Sequence, residues 1–139
     1  MVHRSTSSAD REVIINTYWI IYFLTLGGLL AFMFIRRSGQ VSRRDAAELL
    51  RKGAVVIDVR KASEYGSGHL SQAFNVPVDE IEGFSSERLK DKSRAILVHC
   101  KTGLRSKKAK EKLTRMGYRN VFDLGSYERA FRIVSGRML

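Results

Sequence analysis

From Val13 to Ile35 the chain runs for 23 residues without one charged side chain. A segment so apolar must leave water, and about 20 such residues cross the hydrocarbon core of a bilayer. A secretory signal core is shorter, roughly 7–15 residues, and ends at a small-residue cleavage site. This one is closed by Arg36-Arg37. Tyr18, Trp19 and Tyr22 gather toward one end, as interfacial anchors do. The alternative of a buried core helix leaves those flanks without a role. The sequence therefore predicts a single transmembrane helix over 13–35, an N-terminal tail over 1–12 and a short linker over 36–40.

The flanks predict orientation. Arg4 and Arg11 are balanced by Asp10 and Glu12, whereas Arg36, Arg37, Arg43, Arg44, Arg51 and Lys52 crowd the other side. Excess Lys and Arg marks the cytoplasmic face, so the N-terminus is expected outside and the C-terminal domain inside. A single cysteine, Cys100, fits a reducing compartment, since one thiol forms no internal disulfide. The formal net charge of +11 falls wholly within residues 36–139. Nucleic acid is not the expected partner, because helix-turn-helix, zinc-finger and aromatic-platform patterns are absent. Anionic head groups and a small anionic substrate fit a tethered basic domain better.

Past the linker, the residues alternate between strand and helix. Ser42 reads as an N-cap with Asp45 three residues on, and the helix 43–51 stops at Gly53. Val55–Val59, Ala73–Val76, Ala95–His99 and Asn120–Leu124 read as strands, the first as one buried on both faces. Helices are expected near Ser63–Tyr65, over Asp79–Phe84, from Gly103 to Met116 and from Tyr127 to Val134. Ala109, Leu113 and Met116 give the third of these a sheet-facing stripe, while Lys107, Lys108, Lys110, Lys112 and Arg115 cover the rest. This order predicts an α/β domain over 41–136 with a central, mainly parallel sheet.

In open α/β sheets, sites lie at the carboxyl ends of strands, where Cys100 stands. Cys100-Lys101-Thr102-Gly103-Leu104-Arg105 forms a six-residue Cys-x-x-Gly-x-Arg loop leading into a helix. Gly103 allows a positive φ that curls the backbone inward. The N–H groups of residues 101–105 are expected to converge on the sulfur and stabilise negative charge there. Lys101 and Arg105 add full charges, the arginine as a fork suited to an oxyanion. The bland alternative is a small buried apolar cysteine, against which the polar Lys-Thr-Gly that follows argues.

At these residues the chain resembles the rhodanese family of sulfurtransferases. Cys100–Arg105 is similar to that family's active loop, and Val56-Ile57-Asp58-Val59-Arg60 to its Asp-x-Arg strand. Tyr65-Gly66-Ser67-Gly68-His69-Leu70, followed by Ala73-Phe74-Asn75-Val76-Pro77, is similar to its Tyr/Phe-x-x-x-His and Ala-x-Asn-Val/Ile-Pro signatures. The resemblance covers roughly 41–136. It implies a three-layer fold preceded here by the transmembrane helix. It also implies a persulfide on Cys100, formed from a thiosulfate- or persulfide-type donor and passed to a thiol or cyanide-like acceptor. Lys101, Thr102, Gly103, Leu104 and Arg105 would bind the donor, and Asp58 and Arg60 would support the site as a buried pair. His69 is expected to be structural. No cofactor and no metal are implied. Tethering leaves room for an unidentified membrane protein partner. Ser71-Gln72, Gly125-Ser126 and Ala130-Phe131 depart from the family's usual residues, the latter two where the acceptor is met.

Two other functions compete. A phosphatase or arsenate reductase on this fold wants Cys-x5-Arg, but the residue six beyond Cys100 is Ser106 and the arginine arrives one place early. A non-catalytic, membrane-held interaction or sulfide-sensing module would keep the fold without needing an intact loop.

Overall fold

The computed structural model describes residues 8–37 and 39–136, in two compact units divided between Ser38 and Gly39. The first is one helix, α1 (Ser8–Arg37), whose stretch Ile14–Ile35 is long and apolar enough to cross a membrane. Its side chains from Ile14 to Ile35 are exposed. The helix takes in Ser8–Glu12, expected as tail, and Arg36–Arg37, expected as linker. The remaining tail residues 1–7 and linker residue Ser38 lie outside the described residues.

The second unit is a four-stranded, wholly parallel sheet in the order β2-β1-β3-β4 with helices on both faces. Its elements are α2 (Arg43–Arg51), β1 (Val55–Asp58), α3 (Ala62–Gly66), β2 (Ala73–Asn75), α4 (Ile81–Arg88), β3 (Ile96–Cys100), α5 (Leu104–Arg115), β4 (Val121–Ser126) and α6 (Tyr127–Val134). Ser42 caps α2 as expected, its Oγ accepting the Asp45 N–H at 3.1 Å. Two of these elements shift by two residues or more from expectation, the others by one at most at either end. A turn closed by Glu80 N–H to the Pro77 carbonyl at 2.8 Å delays α4 to Ile81. Pairing of Cys100 with Ser126 carries β4 two residues past Leu124.

Period-two alternation sorts the strands into two cores. Val55, Ile57, Ile96, Val98 and Cys100 pack with Ala109 and Leu113 of α5 and Ile81 of α4. Val56, Leu97 and Leu124 pack on the other face with Ala46 of α2 and Ala130 and Ile133 of α6. Asp58 and His99 share the parity of Val56 and Leu97, so Cys100 and these two polar groups belong to opposite faces.

Gln40, expected as linker, pairs in parallel with Asp123, and the Val41 N–H bonds the Asp123 carbonyl at 3.0 Å. The edge strand β4 leaves backbone groups unpaired, and this short segment satisfies them. A bulge sits beside it: Val98 pairs with Asp123 but His99 with Gly125, leaving Leu124 as the extra residue. Gly125 takes φ +84°, with its N–H on Asp123 Oδ1 at 2.7 Å.

Candidate active site

β3 delivers Cys100 to the carboxyl end of the sheet, and the chain turns through Lys101–Gly103 into α5. Gly103 is the N-cap of α5 with φ +95°, the left-handed conformation its sequence position called for. That turn aims its N–H at Cys100 Sγ, 3.0 Å away. Cys100 is fully buried. Ser106 Oγ lies 3.8 Å from the sulfur and donates to the Gly103 carbonyl at 3.1 Å, tying the first turn of α5 to the loop.

Of the half-ring of amides expected over residues 101–105, the Gly103 N–H is bonded to Sγ. Thr102 forms an antiparallel bridge with Ser126, and Lys101 accepts the Tyr127 N–H through its carbonyl at 3.4 Å. Lys101, Thr102 and Leu104 are exposed, and Gly103 is buried. The sulfur thus sits behind the loop.

Arg105 departs furthest from expectation. Its fork is not turned to open space: Nη1 and Nη2 reach Glu64 Oε2 and Oε1 of α3 at 2.5 and 2.9 Å. A bidentate pair of this kind satisfies both partners at once. The Arg105 hydrogen bond holds the Glu64 carboxyl down to about 2, helped by the Lys61 N–H. In return Glu64 raises Arg105, with a smaller contribution from Cys100.

Asp58 and Arg60 form the buried pair expected of them, with Arg60 Nε 3.0 and 2.9 Å from the two carboxylate oxygens and Nη2 2.6 Å from Oδ2. Arg60 Nη2 also donates to the Gly68 carbonyl at 2.7 Å. The guanidinium lies 4.4 Å from the centre of the Tyr127 ring, and the Tyr127 backbone meets Lys101, so the pair reaches the loop indirectly. His69 is exposed, stacked on Tyr65 at 3.9 Å with Nδ1 3.1 Å from the Tyr65 carbonyl, closing α3. His99, the residue before Cys100, is fully buried with Nε2 3.8 Å from Asp58 Oδ2. Neither of its ring nitrogens has a hydrogen-bond partner, and burial, with Arg60 adding repulsion, lowers it to about 4 despite Asp58.

Sequence reasoning missed Glu64 and Ser106. Ser106 was legible as the third residue after Gly103, one helical turn away. Glu64 stands 41 positions before Arg105, and no local spacing links them.

Comparison with known proteins agrees with this geometry. Residues 42–129 match the family model described as "Rhodanese-like domain". The Escherichia coli K12 thiosulfate sulfurtransferase PspE is 36% identical over 69 residues, covering 50% of this chain and 66% of that protein. The Coxiella burnetii RSA 331 thiosulfate sulfurtransferase GlpE is 31% identical over 91 residues, 64% of this chain and 83% of that one. Among solved structures, an E. coli rhodanese with anions superposes with a TM-score of 0.53 at 32% identity, covering 55% of this chain and 91% of its own. The human single-domain sulfurtransferase TSTD1 shares the fold, with a TM-score of 0.58 at 24% identity over 68% of this chain and 96% of its own. A parallel sheet ending in a cysteine loop and a family match across most of that sheet lead to one conclusion: the chain belongs to the rhodanese-like domain family, and its enzyme class is that of the rhodanese-type sulfurtransferases.

Proposed function

We propose that this chain is held in a membrane by α1 and moves sulfane sulfur from a thiosulfate- or persulfide-type donor to a nucleophilic acceptor through a persulfide on Cys100. The observation that carries this reading is the Gly103 N–H on Sγ at 3.0 Å, at the mouth of a Cys-x-x-Gly-x-Arg loop. A backbone donor fixed at that distance stabilises negative charge on Sγ, in the attacking thiolate and again when Sγ is released as thiolate. With thiosulfate, the Cys100 thiolate attacks the outer sulfur, a new S–S bond forms, and sulfite leaves as the dianion with the electron pair of the broken S–S bond. The cysteine is left as a persulfide anion. An acceptor thiolate or cyanide then attacks the terminal sulfur and releases the Cys100 thiolate. The two half-reactions predict ping-pong kinetics. Because Sγ is buried, the loop must yield for the donor to enter, and its exposed residues Lys101, Thr102 and Leu104 are the part that meets the donor first.

Intact mass after thiosulfate treatment tests the reading. The expected gain is one sulfur atom, lost on adding cyanide and absent in Cys100→Ser. No gain, with hydrolysis of phosphate esters, would favour a phosphatase; neither activity would favour the interaction module. For the anchor, the support is the exposed apolar face of Ile14–Ile35 and the basic residues that follow it. A reporter fused after Leu139 is expected to register in the cytoplasm, and an external signal would reverse the orientation.

A further inference from the structure

We infer that Glu64 sets donor choice in this site, favouring a persulfide whose leaving group carries one negative charge over thiosulfate, whose leaving group is a dianion. The inference rests on the sulfur-transfer reading above. Its basis is the Glu64–Arg105 pair. Both terminal nitrogens of Arg105 are given to the carboxylate at 2.5 and 2.9 Å, so the guanidinium offers an incoming oxyanion neither its full charge nor its bidentate edge. Glu64 is fixed in that place by the Lys61 N–H at 3.1 Å at the start of α3. Arg60, within electrostatic reach of Glu64, is itself matched by Asp58. Each of the two arginines is thus paired with its own carboxylate, so the Arg105 charge that reaches the sulfur beside the Gly103 amide is offset by Glu64.

The two donors ask different things of such a site. Attack by the Cys100 thiolate on thiosulfate forms one S–S bond, breaks another and expels sulfite with two charges. Attack on the terminal sulfur of an alkyl persulfide also forms one S–S bond and breaks one, and expels a thiolate with a single charge. In both cases the cysteine ends as a persulfide and no external oxidant or reductant is needed. A carboxylate held on the arginine that reaches the sulfur repels the dianion more in the ground state and in the transition state. It discriminates by an unfavourable contact rather than by an added attraction.

The test is Glu64→Gln in the full-length chain in detergent, with thiosulfate and cysteine persulfide compared on the same sample and Cys100 loading read by intact mass. Glutamine keeps the length and an oxygen acceptor for Arg105 and removes the charge. The expected result is a rise of about tenfold in the ratio of kcat/KM for thiosulfate to that for the persulfide, about 1.4 kcal/mol. Because one sample serves both donors, a loss of folded protein cancels from the ratio. A ratio unchanged or lowered, with Cys100 still loaded, would overturn the inference alone. Failure of the unaltered chain to load sulfur from either donor would overturn the sulfur-transfer reading and this inference with it.

Discussion

His99 gives the domain an acid sensitivity that can be calculated and removed. Its imidazole is fully buried on the α2–α6 face, with Asp58 at 3.8 Å and the Tyr127 ring centre at 6.0 Å, and its folded value is about 4 against an ordinary 6.5. The unfolded chain therefore binds the proton first. Between those two values stability falls as pH falls, because the unfolded state holds more protons than the native one. Integrating over the range from pH 7 to pH 5 gives a loss of about 2 kcal/mol from this one group. That range lies above the window of the other strongly shifted group, Glu64, which loses its contribution only as pH falls from 4.5 toward 2. Asp123 works the opposite way: burial raises its carboxyl, so it gains relative stability on protonation. The assay is urea unfolding by far-UV circular dichroism at pH 7, 6 and 5, for the parent chain and for His99→Leu. Leucine fills similar space, and Asp58 keeps its Arg60 partner. The parent should lose about 2 kcal/mol over the series, and the variant should lose most of that slope. Equal slopes in the two proteins would refute the assignment of the acid sensitivity to His99.

Other expectations follow from single contacts. Gly125→Ala places a Cβ 2.5 Å from Gln40 Nε2 at a φ of +84°, so a cost of about 1–3 kcal/mol is expected in thermal or urea unfolding. Gly117→Ala has a similar φ of +92° but meets only the flexible Lys92 side chain at 3.6 Å, and about 1 kcal/mol is expected; equal costs at both sites would remove Gln40 from the account. Asp58→Asn breaks the buried pair and leaves the Arg60 guanidinium short of a counter-charge, with an expected loss of about 3 kcal/mol. A loss below 1 kcal/mol on urea unfolding would mean that Gly68 and Tyr127 hold Arg60 by themselves. Arg105→Lys replaces a fork with a point charge, so the Glu64 pair becomes single-pronged. Its carboxyl should titrate above its present value, read by NMR.

What could be read from the sequence was what repeats locally. The apolar runs Val55–Val59 and Ala95–His99 located the two central strands, since a strand covered on both faces has no polar face to interrupt it. Ser42 and Asp45 placed a helix start because a capping hydroxyl and its N–H partner lie three residues apart. Gly103 pointed to the loop's curl because the left-handed region is open to glycine. What escaped was long-range. Gln40 looked like tether because nothing near it in sequence announces the open edge of β4, which is 83 positions away at Asp123. The bridge between Thr102 and Ser126 is likewise a contact set by where β4 ends. The partner of Arg105 depended on α3 bringing Glu64 across the carboxyl end of the sheet.

The fate of Arg105 also limits what net charge can say about a site. A chain with a formal charge of +11 invites the picture of an electropositive pocket drawing in anions. Yet screening confines a charge's influence to roughly 8 Å at physiological salt, so the lysines of α5 act on approach more than on the reacting atoms. Within reach of the sulfur, the charge of Arg105 is shared between Glu64 and Cys100, and the Gly103 amide that meets Cys100 is neutral. Long-range attraction and local stabilisation are therefore separate quantities in this molecule. Neutralising Lys107 and Lys108 together, both exposed on α5, should slow thiosulfate capture at low salt and converge with the parent at high salt, while Glu64→Gln should change donor preference at every salt concentration. If the lysine pair shifted donor preference at high salt as strongly as Glu64 does, the pocket would be governed by the surface field, and the division drawn between approach and chemistry would fail.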